Sequence, residues 1–342
     1  MASPTSLRIV VADDSAFMRR LLTDALQRSG FEVVAAVEDG DHALKACREL
    51  KPDVLTLDLA MPGLDGLGVL RGLREEASPI AVVVVSAFSP AHGARAVDAL
   101  SEGAVDLVAK PAAGEALHSF LAELSEKVML AASSRRTRPA SSTLEAPRRA
   151  SARPSRPRTV VIACSTGGPR ALADLLPKLP SPLGAGSLIV QHMPPGFTSS
   201  LADRLDRASA LTVREAASGD RLEPHTVLVA PGGQHLRIHS DRTTALDEEP
   251  AIGGLRPRAD LTIGDAARIF GKDLLLVVLT GMGKDGLEGA HEVRRQGGRI
   301  LAEAESSCTV YGMPRAIVEA DLADGVHDLS NLPEAIAAEA GA

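Results

Sequence analysis

VVIACSTGGPRALADLL, residues 160–176, decides how the second half of the chain folds. A run of β-branched and small apolar residues stops at Ser165, two glycines and a proline follow, and a helical pattern then begins. An apolar run this short and this continuous reads as a strand buried on both faces. Gly167 and Gly168 let the backbone turn tightly after Ser165, and the helix start that follows supplies N–H donors and a positive dipole. The stretch therefore lifts one hydroxyl to the carboxyl end of a buried strand and sets it against a helix N-terminus.

The same rhythm recurs on both sides of it. TVVIAC, SLIVQH, TVLVAPG, LLLVVLTG and GRILAE read as strands separated by helical patterns, and HLRIHS adds a candidate hairpin strand. Upstream, LRIVVAD, EVVAAV, DVLTLD, AVVVVSA and DLVAK alternate with amphipathic stretches. In SAFMRRLLTDALQRSG, Phe17, Met18, Leu21, Leu22, Ala25 and Leu26 share one helical face, and Gly30 suits the end. Such alternation predicts parallel sheets with helices on both sides. Between the halves, Ser133 to Arg158 holds eight arginines and one acid, Glu145, among Ser, Ala and Pro, with no periodicity. The expectation is α/β: two doubly wound parallel-sheet domains, 1–130 and 158–342, joined by a flexible Arg/Ser/Pro/Ala-rich linker over 131–157.

Composition narrows the function. A formal net charge of −7, no Trp and one Tyr argue against a nucleic-acid binder, and no aromatics interleave with the linker arginines. MASPTSLRIVVADD lacks a cationic region followed by a long apolar one, and no window nears 18 uninterrupted apolar residues. Cys47, Cys164 and Cys308 are odd in number and widely spaced, which suits reduced thiols in a cytoplasm. A cytoplasmic protein with no membrane insertion is expected.

Functional residues of open parallel sheets collect beyond the carboxyl ends of strands. In the first half those ends carry Asp13 and Asp14, Asp58, Ser86, and Lys110 before Pro111. Converging carboxylates repel unless a cation sits among them, and hard oxygen ligands suit Mg²⁺. A hydroxyl and an ammonium beside them would hold an anion. In the second half the ends carry Ser165, His192 and, in GMGKDG, Asp285. Nucleophile, general base and an acid that fixes the base are what acyl transfer requires. Taken singly, each of these residues reads as a cap, a turn or a structural side chain. Rival motifs fail: GMGKD lacks the remaining phosphate-loop residues, and HEVRR has Arg295 where a metalloprotease helix needs His. In a strand His235 and His239 would stand roughly 13 Å apart, too far to share a metal. Cys164, beside Ser165, reads as a small packed residue.

Over residues 7–128 the chain resembles the receiver domain of two-component response regulators, a flavodoxin-like fold, through the acids at 13–14, Asp58 with MPGLDG, Ser86 and the Lys110–Pro111 pair. The resemblance implies phosphoryl transfer from a histidine kinase to Asp58. Asp13 or Asp14, Asp58 and the Ala60 carbonyl would hold Mg²⁺, and Ser86 and Lys110 would contact the phosphoryl oxygens. Leu107 stands where many receivers carry an aromatic switch residue. From 158 to about 335, ACSTGGP, QHMPPGFTSSLADRL, APGGQHLR, LTGMGKDG and YGMPRA resemble the catalytic domain of the CheB family of protein-glutamate methylesterases, with a Rossmann-like sheet.

That second resemblance implies hydrolysis of glutamyl methyl esters on methylated chemoreceptors, releasing methanol, with glutamine deamidation by the same chemistry. Ser165 would attack, His192 would take its proton, Asp285 would orient His192, and the amides of Met282 and Thr166 would hold the oxyanion. No metal or other cofactor is implied for this domain. Lys284, Arg258 and Ile263 depart from the family's usual small or polar residue, Ser and Phe. The one-chain architecture suggests that the unphosphorylated receiver covers the Ser165 site and that phosphorylation relieves it. The rival reading is a response regulator whose second domain binds a partner without catalysis, or one serving a receptor outside chemotaxis.

Overall fold

The computed structural model describes residues 6–87, 90–111, 117–134 and 156–341. The chain divides into two compact units, Met1–Arg138 and Pro139–Ala342. The first runs β1 (Arg8–Ala12), α1 (Ala16–Arg28), β2 (Glu32–Val37), α2 (Gly40–Leu50), β3 (Val54–Leu57), α3 (Gly66–Glu75), β4 (Ala81–Ser86), α4 (Pro90–Glu102), β5 (Asp106–Ala109) and α5 (Leu117–Ser134). Its strands form one parallel sheet in the order β2-β1-β3-β4-β5. Side-chain oxygens start the helices: Ser15 accepts from Met18 N–H, Asp39 from His42 N–H and Asp65 from Gly68 N–H. Leu22 and Leu26 of α1 pack with Ile9, Val11, Val83 and Val85 of the sheet. Phe17 departs from the expected apolar face, being 73 % exposed on the first turn of α1. Gly30, expected at the helix end, follows the Ser29 cap with φ +87°.

α5 continues to Ser134 because its buried face continues through Leu124, Val128, Ala131 and Ala132. The expected boundary at 130 therefore falls inside this helix, and residues 131–134 of the expected linker are helical. Residues 135–155 of that linker lie outside the described residues.

The second unit runs β6 (Thr159–Cys164), α6 (Gly168–Leu175), β7 (Ser187–Gln191), α7 (Phe197–Ala208), β8 (Thr212–Glu215), β9 (Thr226–Val229), β10 (His235–Ile238), β11 (Thr244–Asp247), α8 (Ala259–Phe270), β12 (Leu274–Val278), α9 (Leu287–Arg295), β13 (Arg299–Glu303), α10 (Met313–Glu319), β14 (Gly325–His327) and α11 (Leu332–Ala340). Seven strands make a parallel sheet ordered β14-β13-β12-β6-β7-β9-β8, and β10 and β11 form a separate antiparallel pair. Every residue of β6, β7 and β12 is buried, as strands covered on both faces require. The two-domain, doubly wound α/β expectation holds. No helix among the described residues is long and apolar enough to cross a membrane.

Topology places the functional edges. In the first sheet β1 and β3 are neighbours although β2 lies between them in sequence; in the second, β6 has β7 on one side and β12 on the other. Where strand order reverses, the flanking connections leave in opposite directions and open a crevice beyond the carboxyl ends.

A carboxyl group lies deep inside the second core. Glu303, the last residue of β13, is fully buried; its Oε2 accepts from Thr280 N–H at 2.8 Å and its Oε1 from the Ser307 hydroxyl at 2.9 Å. Burial raises its pKa, and these two donors offset only part of that. A carboxyl whose folded pKa is raised stabilises the fold when protonated and loses that contribution as pH rises through the folded value. Glu303→Gln is therefore expected to melt above wild type at pH 8, with the gap closing as pH is lowered toward 4. Thermal unfolding across that range checks this, and a gap that is constant or reversed contradicts it.

Candidate active site

Sheet register brings the hydroxyl and the imidazole together. Cys164 of β6 pairs with Gln191 of β7, and His192 N–H donates to Cys164 O at 3.2 Å, so Ser165 and His192 leave adjacent strand ends side by side. Ser165 N–H donates to Thr280 O at 3.0 Å, which ties the nucleophile candidate to the segment after β12 on the other side. The Gln191 amide donates from Nε2 to Ser165 O and to His192 O, each at 3.0 Å. One side chain thus joins the main chains of both residues. The turn itself is made by Gly167 at φ +78°, and Gly168 N–H closes it on Ser165 O at 2.7 Å.

The third member arrives from α9's side. Asp285 lies in the loop between β12 and α9, and its Oδ2 is 2.7 Å from His192 Nε2. With Nε2 facing the carboxylate, Nδ1 is the nitrogen left to exchange a proton elsewhere. The Ser165 hydroxyl makes no hydrogen bond to the ring among the described residues. Such bonds are often loose before substrate arrives. Asp285 also accepts from Ala259 N–H at 2.7 Å and Asp260 N–H at 3.0 Å, the first turn of α8, and from Gly286 N–H at 3.0 Å. Burial works to raise its pKa, but the hydrogen bond and charge of His192, with the Ala259 and Asp260 amides, outweigh it and hold it down at about 2. The carboxylate is ionised throughout the neutral range.

Around this pair, the Gly281 amide is taken by Val310 O at 3.0 Å, whereas the Met282 N–H next to it has no partner among the described residues. Thr166 is buried, and its carbonyl accepts from the Thr280 hydroxyl at 3.0 Å. Lys284 is exposed, and Ile263 is fully buried in the core against α9. Burial, with the Glu303 charge adding, pushes the Cys164 thiol far up, so it remains protonated and unreactive. His235 is buried in β10 with Nδ1 accepting from Arg258 N–H at 3.2 Å and Nε2 on Pro250 O at 3.3 Å, a loop staple. Gln191, Thr280 and Glu303 do not stand out in the sequence, because each acts on main-chain atoms, which residue identity does not reveal.

The first unit gathers its acids at the other switch point. Asp13, Asp14 and Asp58 can each offer an oxygen within 4.8 Å of the others, a hard-donor set of the kind that suits Mg²⁺. Lys110 Nζ lies 2.7 Å from Asp13 Oδ2 and 2.6 Å from Asp58 Oδ2. Burial raises the Asp13 carboxyl above its usual range, Lys110 offsetting only part. Burial opposes the Lys110 ammonium, yet the hydrogen bonds and charges of Asp13 and Asp58 prevail and raise its pKa. Ser86 is buried at the end of β4 with its hydroxyl on Ala87 O at 3.4 Å. Ala60 directs its N–H to Asp58 Oδ1 at 3.2 Å, and Leu107 is buried in β5.

Known proteins carry the same two parts. Residues 160–336 match the family model for the CheB methylesterase, and residues 9–122 the one for the response regulator receiver domain. A protein-glutamate methylesterase/protein-glutamine glutaminase of Symbiobacterium thermophilum is 42% identical, the match covering 98% of this chain and 97% of that protein. The Myxococcus xanthus protein-glutamate methylesterase/protein-glutamine glutaminase 5 is 45% identical, covering 94% of this chain and 95% of its own. The crystal structure of the Thermotoga maritima CheB methylesterase catalytic domain superposes with a TM-score of 0.51 at 44% identity, over 53% of this chain and 97% of that one.

A side chain at Gly168 would break the link between the strand ends, because its β-carbon would lie 2.0 Å from Gln191 Oε1 and 3.0 Å from Cys164 Cβ. Gly168→Ala is expected to lower unfolding stability by about 1–3 kcal/mol, the usual cost of overpacking. Urea denaturation measures it, and unchanged stability would mean that Gln191 does not hold these residues rigidly.

Proposed function

The chain belongs to the CheB methylesterase family, and from that premise we propose that it hydrolyses glutamyl γ-methyl esters on methylated chemoreceptors and also deamidates receptor glutamines. The observation that carries the reading is the His192–Asp285 hydrogen bond of 2.7 Å, formed beside Ser165 at paired strand ends. Ser165 Oγ attacks the ester carbonyl carbon while His192 Nδ1 takes its proton. Asp285, bonded to Nε2–H, fixes the tautomer and stabilises the imidazolium that forms. The Met282 and Thr166 amides receive the negative charge on the carbonyl oxygen. The imidazolium returns its proton to the departing methoxide, releasing methanol and leaving a glutamyl ester on Ser165. Water, deprotonated by His192, then cleaves that ester to free glutamate and serine. With glutamine the leaving group is ammonia, and every other step is the same.

The first unit receives a phosphoryl group at Asp58 from a histidine kinase. Asp13, Asp14, Asp58 and the Ala60 carbonyl would hold Mg²⁺, which when bound supplies positive charge against the phosphoryl oxygens. Lys110 and Ser86 lie at the neighbouring strand ends and contact those oxygens. Lys110 carries its charge on a flexible stem, so its ammonium can leave the carboxylates for the added group. Phosphorylation raises the esterase activity of the second unit. The protein works in the cytoplasm, on the cytoplasmic parts of receptors.

Methanol release from a methylated receptor fragment tests both halves. Wild type and Ser165→Ala are compared with and without a small-molecule phosphodonor and Mg²⁺. Release is expected to fall by at least ~10³-fold in the variant and, in wild type, to rise with the donor. Release by Ser165→Ala equal to wild type refutes the serine mechanism. Serine-dependent release indifferent to the donor refutes the control by Asp58.

A further inference from the structure

Asp285 is faced by charge from two elements besides its own loop: His192 beyond β7, and Arg258 with Asp260 at the start of α8. Asp285 accepts the first amides of α8, and Asp260 returns the favour to α9, its Oδ1 taking the N–H groups of Gly286 and Gly289 at 2.9 Å each. Each carboxylate caps the helix that the other begins or precedes. The exchange sets two carboxylates side by side, Asp285 buried and Asp260 half-buried, and burial, with the Asp285 charge adding against the Gly289 amide, raises the Asp260 carboxyl.

Arg258 lies between them. Its Nε is 2.9 Å from Asp285 Oδ1, its Nη2 is 2.7 Å from Asp260 Oδ2, and its Nη1 donates to Ile252 O at 3.3 Å. All three guanidinium nitrogens are engaged and the side chain is only 21 % exposed, so its charge is directed at the two carboxylates. Its own N–H is fixed on His235, and it contributes no side-chain cap to α8. A serine here would cap that helix from its own position; the arginine instead supplies charge to two carboxylates that do the capping.

We propose that Arg258 is a positioning residue of the esterase, a fixed cationic bridge that holds Asp285 against Asp260 in the orientation that receives His192 Nε2–H. The inference rests on the esterase reading above. Without the bridge, Asp260 and Asp285 repel and Asp285 shifts from its best alignment with the ring, while the His192–Asp285 pair, still in contact, is left beside uncompensated negative charge and binds its proton more tightly.

The test follows methanol release against pH in the full chain. Arg258→Gln is expected to lower kcat by ~10–100-fold, the range for a displaced orienting group, with KM within about threefold and the acid limb of kcat/KM moved to higher pH. Arg258→Lys, which can reach only one carboxylate at a time, restores the limb but only part of kcat. Adding Asp260→Asn to Arg258→Gln removes the repelling charge and moves the limb back. Arg268→Gln, on the far end of α8, changes neither. If Arg258→Gln fails to fold, Arg258→Lys and the double variant carry the same test. A KM rise at constant kcat would put Arg258 at the substrate, and an unmoved acid limb would make its role merely structural; either overturns the inference. Wild type that releases no methanol would instead overturn the esterase reading itself.

Discussion

A buried, ionised carboxylate is the constraint on which the second unit's chemistry depends. Asp285 sits where a lone charge would be strongly unfavourable, and it persists because donors surround it: three backbone amides, the Arg258 guanidinium and the His192 ring. Those amides begin α8 and α9, so the same contacts that tolerate the charge also fix both helices against the sheet edge. The ring orientation of His192 is therefore a consequence of how two helices start. Its usefulness comes from a second constraint, the β6–β7 register that sets Ser165 beside it.

The two units answer one electrostatic problem with different cations. Each crowds carboxylates at a switch point of a parallel sheet, and each sets a positive side chain between two of them. In the first unit Lys110 bridges Asp13 and Asp58; in the second Arg258 bridges Asp260 and Asp285. An ammonium on a flexible stem suits a site whose charge changes when a phosphoryl group arrives. A planar guanidinium with each nitrogen engaged suits a site whose charges must stay where they are.

Much of this was legible in the sequence because strands buried on both faces are written as unbroken apolar runs. AVVVVSA and TVVIAC fold as such strands, and the residues that end such runs come together at the two switch points. β8, β11 and β14 were missed: TVRE alternates as an edge strand does, TALD pairs only with β10 in a short antiparallel pair, and GVH is too short to show a period. Phe17 fitted the apolar stripe of α1, yet it lies on the turn that projects beyond the core. The contacts that hold the site were the least visible. Arg258 stood out in sequence only as a departure from a resembling family, since its partner Asp285 is many residues away and on another element. Gln191 and Glu303 act on main-chain atoms, which leave no mark on residue identity.

In the proposed mechanism Asp285 holds the Nε2–H of His192 and leaves Nδ1 bare for the serine proton. Nitrogen-15 NMR of the two ring nitrogens of His192 at neutral pH, in wild type and in Asp285→Asn, tests it most directly. A proton on Nε2 in a strong hydrogen bond, an unprotonated Nδ1, and loss of that signature in the variant are expected. A proton on Nδ1 with Nε2 bare, or a spectrum unchanged by Asp285→Asn, would contradict it.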